Sequence, residues 1–188
     1  ERPVLYNDWE GCMFSFDESR LLDLAARAKK LGCELFVLDD GWFGGRNSDR
    51  AGLGDYNGNE KKLPSGIDGL AKKIGRMGLE FGLWFEPEAV NPDSDLFRAH
   101  PDWVLAEPGR ESLTSRHELL LDLRKEEVRD YIVSSVCGVL DGADVKYVKW
   151  DMNRQSCALG TAAHEYILGL YDVLRRIFAP RPDIRLET

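Results

Sequence analysis

VKYVKWDMNR, residues 145–154, is an apolar, aromatic and β-branched run that ends in charge, and its reading decides the fold. The run has the length and composition of a buried strand. Burying Lys149 and Asp151 at its end is costly unless they pair with each other or with something bound. Strand alternation places Lys149, Asp151 and Asn153 on one face, with Trp150 and Met152 on the other. A lysine two residues from an aspartate on one face favours the ionised carboxylate. A fixed, ionised carboxylate is what a nucleophile or a strong hydrogen-bond acceptor requires.

Upstream of this run lies an amphipathic helix, RKEEVRDYIVSSVCGVLDG (124–142), and the same helix-then-strand order recurs along the chain. DESRLLDLAARAKKLG (17–32) opens on capping residues, lines one face with Leu21, Leu24, Ala25, Ala28 and Leu31, and closes at Gly32. ELFVLDDGWFGG (34–45) follows it. GIDGLAKKIGRMG precedes EFGLWFEPE, and TAAHEYILGLYDVLRRIFA precedes IRLET. With VLYNDWEG at the start and ELLLDL before the third helix, strands are predicted near 4–9, 35–41, 80–87, 118–123, 145–152 and 184–188. Strands alternating with helices imply right-handed crossovers and a parallel sheet. The expected fold class is therefore α/β: residues 1–188 as a single domain, a partial (β/α)8 TIM-type barrel of about five βα units plus a sixth parallel strand. The connection 90–117, with Pro92, Pro101 and Pro108, has no strong periodicity and reads as a functional loop or a surface excursion.

Each predicted strand ends in acid: Asp8 and Glu10, Asp39 and Asp40, Glu86 and Glu88, Asp122, Asp151, and Glu187. An aspartate just after a single strand is most often a cap or turn former. Recurrence at six ends, several beside Trp, favours a shared site at the carboxyl face of the sheet. Trp9, Trp42 and Trp84 would supply an apolar platform for a sugar ring, with core packing as the alternative for each.

A net charge of −8 argues against unassisted binding to nucleic acid or to an anionic membrane surface, and suits a neutral polyol. No apolar run approaches the ~20 residues of a membrane span. No signal segment is visible, although the chain does not begin with Met. Cys12, Cys33, Cys137 and Cys157 form no C-x-x-C pair and read as reduced thiols, which suggests a cytoplasmic protein. Three histidines without H-x-H or H-E-x-x-H spacing give no expectation of a metal or a cofactor.

LFVLDDGWFGGR (35–46), GLGDYNGNEKKLPSGIDGLAKKI (52–74), GLEFGLWFEPEAVNPDSDLFRAHPDWVL (78–105), LLLDL (119–123) and YVKWDMNR (147–154) together resemble the catalytic barrel of bacterial α-galactosidases (melibiases) of glycoside hydrolase family 36. The resemblance covers nearly the whole chain in order and spacing. It implies a retaining mechanism in which Asp151 attacks the anomeric carbon of a terminal α-linked galactose, in an oligosaccharide or an aryl galactoside. It also implies that Trp9, Asp39, Asp40, Trp84, Arg116 and Lys149 surround that galactose. The acid pair would hold hydroxyls, Trp84 would offer its ring, and Arg116 and Lys149 would donate hydrogen bonds, with Asn153 a further candidate. Glu118 stands where the family commonly has Gln, and Tyr56 where it has Trp; both are expected to alter the rim.

The family's acid/base aspartate lies in an S-D-N-T-D-like segment, and the sequence ends at LET188 before any such pattern. The second carboxyl group that retaining hydrolysis needs is thus unassigned; Glu86, Glu88 and Asp55 are weak substitutes. The first and sixth strands of a partial barrel have open edges, from which a homo-oligomer is expected. Two other readings remain: a half-barrel that binds galactosides without hydrolysis or forms part of a split enzyme, and a barrel holding magnesium or manganese through Asp39, Glu86, Asp122 and Asp151. Lys149 beside Asp151 opposes the cation.

Overall fold

The computed structural model describes residues 2–106, 114–154 and 160–188; Pro108 and Cys157 lie outside the described residues. In chain order the first half contains β1 (Leu5–Asn7), α1 (Trp9–Cys12), α2 (Glu18–Lys30), β2 (Leu35–Leu38), α3 (Gly66–Arg76) and β3 (Glu80–Phe85). There follow β4 (Ala89–Val90), α4 (Asp95–Ala99), a 3₁₀ turn at Pro101–Trp103 and β5 (Leu119–Leu120). The last part holds α5 (Glu126–Asp141), β6 (Tyr147–Trp150), α6 (Ala163–Phe178) and β7 (Arg185–Glu187).

The four long helices fall where the periodicity places them. Asp17 caps α2 by accepting the Arg20 N–H at 2.8 Å, and Leu21, Ala25 and Ala28 turn inward against the sheet. Gly32, at φ 88°, ends the helix in the left-handed conformation that a side chain resists. Gly169 sits in α6 where a Cβ would collide with the Leu123 carbonyl, so its lack of a side chain sets how closely α6 approaches the chain before α5.

Five strands form one parallel sheet in the order β1-β2-β3-β6-β7. The sixth expected strand, at 184–188, is present as β7, but the fourth, expected at 118–123, is not in this sheet. Its core, β5, pairs antiparallel with β4, with Ala89 opposite Leu120 and Val90 opposite Leu119. The reason is that β3 hydrogen-bonds directly to β6, which leaves no place between them, while ELLLDL emerges from a tight turn at Ser115–Glu118 that reverses it. Leu119, Leu120, Leu121 and Leu123 are all buried, so the apolar run marked burial correctly and strand partner wrongly. The long connection 90–117 contains α4 and the 3₁₀ turn.

β2 is buried throughout and β3 from Phe81 onward. The outer strands are barer, with Leu5 40% and Leu186 38% exposed. Residues from both edges, including Arg2, Leu5, Arg185 and Leu186, line one cavity of about 730 Å³ together with Tyr147 of β6. Among the described residues no helix is long and apolar enough to cross a membrane.

Candidate active site

Register builds the site. Leu38 stands beside Leu83, and Phe85 beside Trp150, so the chain leaves β2, β3 and β6 at one end of the sheet. The next residues are Asp39 and Asp40, Glu86, and Asp151. The Asp151 N–H continues the ladder to the Phe85 carbonyl at 2.8 Å, which fixes its backbone before its side chain is considered.

Asp151 Oδ2 accepts from Trp84 Nε1 at 2.9 Å and from Asn153 Nδ2 at 2.8 Å, while Oδ1 accepts the Met152 N–H at 2.9 Å. Lys149 Nζ lies 3.9 Å from Oδ2 but 2.8 Å from Asp39 Oδ2, so its primary partner is Asp39. Burial opposes the Lys149 charge, but the hydrogen bond and charge of Asp39, with Asp151 behind, outweigh it and raise its pKa. Asp39 Oδ2 also accepts from Asn7 Nδ2 at 2.5 Å, and its Oδ1 accepts the Asp40 N–H at 2.9 Å. Beneath it, buried Asp8 accepts the Asp39 N–H at 2.7 Å. Burial pushes the Asp8 carboxyl up to about 6 against that hydrogen bond and one from Cys12.

Asp40 receives a two-pronged contact from buried Arg46, Nε at 2.9 Å and Nη2 at 2.7 Å, and Arg46 Nη1 donates to Asn91 Oδ1 at 2.8 Å. On the other side, Asn153 bridges the acids: its backbone N–H and side-chain amide both donate to Glu86, while the amide also reaches Asp151. Glu86 is fully buried; desolvation raises its pKa against the donors from Asn153 and Arg154. The polar groups thus run in an arc, from Glu86 through Asn153, Asp151, Lys149, Asp39 and Asp40 to Arg46.

Asp39, Asp40, Trp84, Lys149, Asp151 and Asn153 are therefore brought together as expected from the sequence. Trp84, only 1% exposed, meets the site through its indole N–H; the open ring face expected of it is not seen, because Phe43 stacks parallel to it at 6.2 Å. Trp42 is a core residue, fully buried against Phe43, Tyr56 and Phe85, and donates to the Trp84 carbonyl at 2.9 Å. Of the three tryptophans only Trp9 is partly exposed, edge-on to Phe14. Arg116 is exposed on the Ser115–Glu118 turn. Tyr56 and Glu118 are buried rather than on a rim.

Other acids are engaged elsewhere. Asp122 is clasped by Arg124, Glu88 accepts from Trp150 and Tyr166, and Asp55 accepts the first N–H groups of α4. Glu187 accepts from the Tyr147 hydroxyl. With Asp122 tied to Arg124, the four-carboxylate metal reading loses a ligand, and among the described residues no three His, Cys, Asp or Glu side chains gather to hold a metal ion. Sequence reasoning passed over Asn7, Arg46 and Asn91. Arg46 closes the LFVLDDGWFGGR run and Asn7 stands one residue before Asp8, the nearest thing to a signal either offers.

A family model described as Melibiase matches residues 1–188. The chain is 48% identical to the α-galactosidase AgaA of Geobacillus stearothermophilus, over 100% of this chain and 27% of that protein. It is 45% identical to the bifunctional α-galactosidase/sucrose kinase AgaSK of Mediterraneibacter gnavus, over 100% of this chain and 20% of that one. Among solved structures, the galactosidase domain of AgaSK superposes with a TM-score of 0.94 at 45% identity, covering 99% of this chain and 26% of that one. A variant of AgaA solved in complex with raffinose gives 0.92 at 47% identity, covering 99% and 27%. The chain spans about a quarter of the length of these relatives. Matched along its whole length, it belongs to the melibiase family, and the relatives named here are α-galactosidases.

Proposed function

We propose that residues 1–188 supply the nucleophile and most of the hexose-holding shell of a retaining α-galactosidase that releases terminal α-linked galactose. The observation that carries this reading is the Asp151 carboxylate, held by three donors at the carboxyl end of the central strands and flanked by the Lys149–Asp39 pair. Among the described residues Oδ2 accepts two side-chain hydrogen bonds and Oδ1 one from the backbone, so Oδ1 keeps the lone pair better placed to attack. Its bond to the anomeric carbon forms as the glycosidic C–O bond breaks. The leaving oxygen takes a proton from a second carboxyl group. The S-D-N-T-D-like segment that the resemblance implies for this acid is not among residues 1–188, and none of these residues is assigned the role. Asp39, Lys149 and Arg116 would hold hydroxyls, with Asp40 oriented by Arg46 and Trp9 forming the wall.

The sheet is read as an incomplete TIM-type barrel. Support comes from its parallel order and from the single cavity that both outer strands line. Open edges favour association into a homo-oligomer, and the unpaired Cys12, Cys33 and Cys137 suit the cytoplasm. Raffinose is bound by a relative in its solved complex, and the same class of oligosaccharide is the proposed substrate. A second reading is that residues 1–188 by themselves bind galactosides without cleaving them, because Glu86, the carboxyl group joined to Asp151 through Asn153, is buried and occupied by donors.

An aryl α-galactoside assay, run with galactose-binding calorimetry and light scattering on the chain and on D151N, separates these readings. Hydrolysis lost in D151N with the fold intact supports the nucleophile. Binding without hydrolysis selects the second reading. Parent-rate cleavage by D151N, or no binding and no cleavage, rejects both.

A further inference from the structure

Glu118 is fully buried, yet among the described residues neither carboxyl oxygen has a hydrogen-bond partner, and Arg46 Nη2 lies 3.8 Å from Oε1. Such a group is expensive to maintain. Its position is enforced by a turn whose central residues, Arg116 at φ 53° and His117 at φ 63°, both take the left-handed conformation that side chains resist. The Ser115 and Glu118 backbones close this turn with reciprocal hydrogen bonds of 3.1 and 2.9 Å. Asn91 ties the turn to the arginine: its amide donates to the His117 carbonyl at 2.9 Å, and its Oδ1 accepts from Arg46 Nη1. Arg46 therefore sits between two buried carboxyl groups, Asp40 in direct contact and Glu118 just beyond hydrogen-bond reach.

We propose that Glu118 is a positioning residue for the sugar site: as a neutral acid it leaves Arg46 to Asp40 alone, and as a carboxylate it draws Nη2 away and frees Asp40 to turn. The charged groups that act on it are Arg46 and Asp40 from the connection after β2, Glu86 after β3, and Arg116 on its own turn. Burial pushes the Glu118 carboxyl up to about 8; Glu86 and Asp40 push the same way, Arg46 and Arg116 the other. The two protonation states therefore exchange within an accessible pH range. The effect on sugar rests on the reading of Asp40 as a galactose contact, whereas the effect on Arg46 does not.

The test follows the Arg46 Nε–H resonance by NMR from about pH 6 to about pH 9 in the wild-type chain and in E118Q, alongside galactose affinity by calorimetry. In wild type the resonance should move with a single titration, and affinity should fall about tenfold across it. In E118Q, which keeps the shape and cannot ionise, both should stay flat. A wild-type resonance that does not titrate, or one that titrates identically in E118Q, overturns the proposal. An Arg46 signal that titrates in wild type alone, with no galactose binding at any pH, leaves the positioning role standing and rejects the sugar-site reading.

Discussion

Strands β2, β3 and β6 are hydrogen-bonded on both sides and mostly buried, and the chain leaving them carries five acids or bases within one bonded arc. β1 and β7 each pair on one side only, and they carry exposed Leu5 and Leu186 instead. The difference is physical. Buried carboxylates need donors held at fixed distances, and backbone that cannot shift supplies them. Asp151 inherits its position from the ladder bond to Phe85, and Asp39 from the contact of its N–H with Asp8. An edge strand offers no such constraint, and its free N–H and C=O groups invite another strand.

The contrast breaks most readily at the centre. Phe36 of β2 is fully buried between β1 and β3, so Phe36→Ala should cost about 3–5 kcal/mol, read as a fall in the urea midpoint. A loss below about 1 kcal/mol would mean that the sheet centre is not the rigid support described here.

Glu118→Gln should act in the opposite direction. The folded-state pKa, about 8, lies above the ordinary 4.5, so the folded chain holds a proton that the unfolded chain releases. Stability from this group is therefore complete below about pH 4.5 and falls as pH rises toward about 8. Glutamine removes the dependence: E118Q should gain up to about 3 kcal/mol at pH 7 and nothing at pH 4. Equal urea midpoints for E118Q and parent at both pH values would contradict the buried, neutral acid.

Asn153→Ala removes the amide that joins Glu86 to Asp151. It should cost about 1–2 kcal/mol, because two carboxyl groups lose a shared donor. A circular-dichroism melt of the variant reads this loss.

Legibility in the sequence follows the same division. The four long helices declare themselves through their period, α2 also through its Asp17 cap, and the acids at the ends of β2, β3 and β6 stand out because they interrupt apolar runs. ELLLDL misleads because three consecutive leucines report burial and say nothing about which strand lies alongside. Trp42 misleads similarly, since a tryptophan after DDG reads equally as platform or core, and only packing against Phe85 and Tyr56 decides. Arg46 and Asn91 leave still less trace. The ion pair with Asp40 spans six residues of Gly-rich chain, and the Arg46–Asn91 bond spans forty-five; no local pattern encodes either.

The smallest effect is expected at the edge and sharpens the comparison from the other side. Leu186 lies on β7 beside Val148, is 38% exposed, and lines the cavity that the two outer strands share. Lysine at a sheet edge opposes strand addition, because pairing would bury its charge. Leu186→Lys should therefore change the stability of the single chain by no more than about 0.5 kcal/mol, the ordinary range for a surface position. If the edges are where copies meet, the same substitution should shift the mass seen by light scattering toward the monomer at micromolar concentration. A large stability loss with no change in mass would place Leu186 in the core, and the distinction between centre and edge would fail at the residue chosen to represent it.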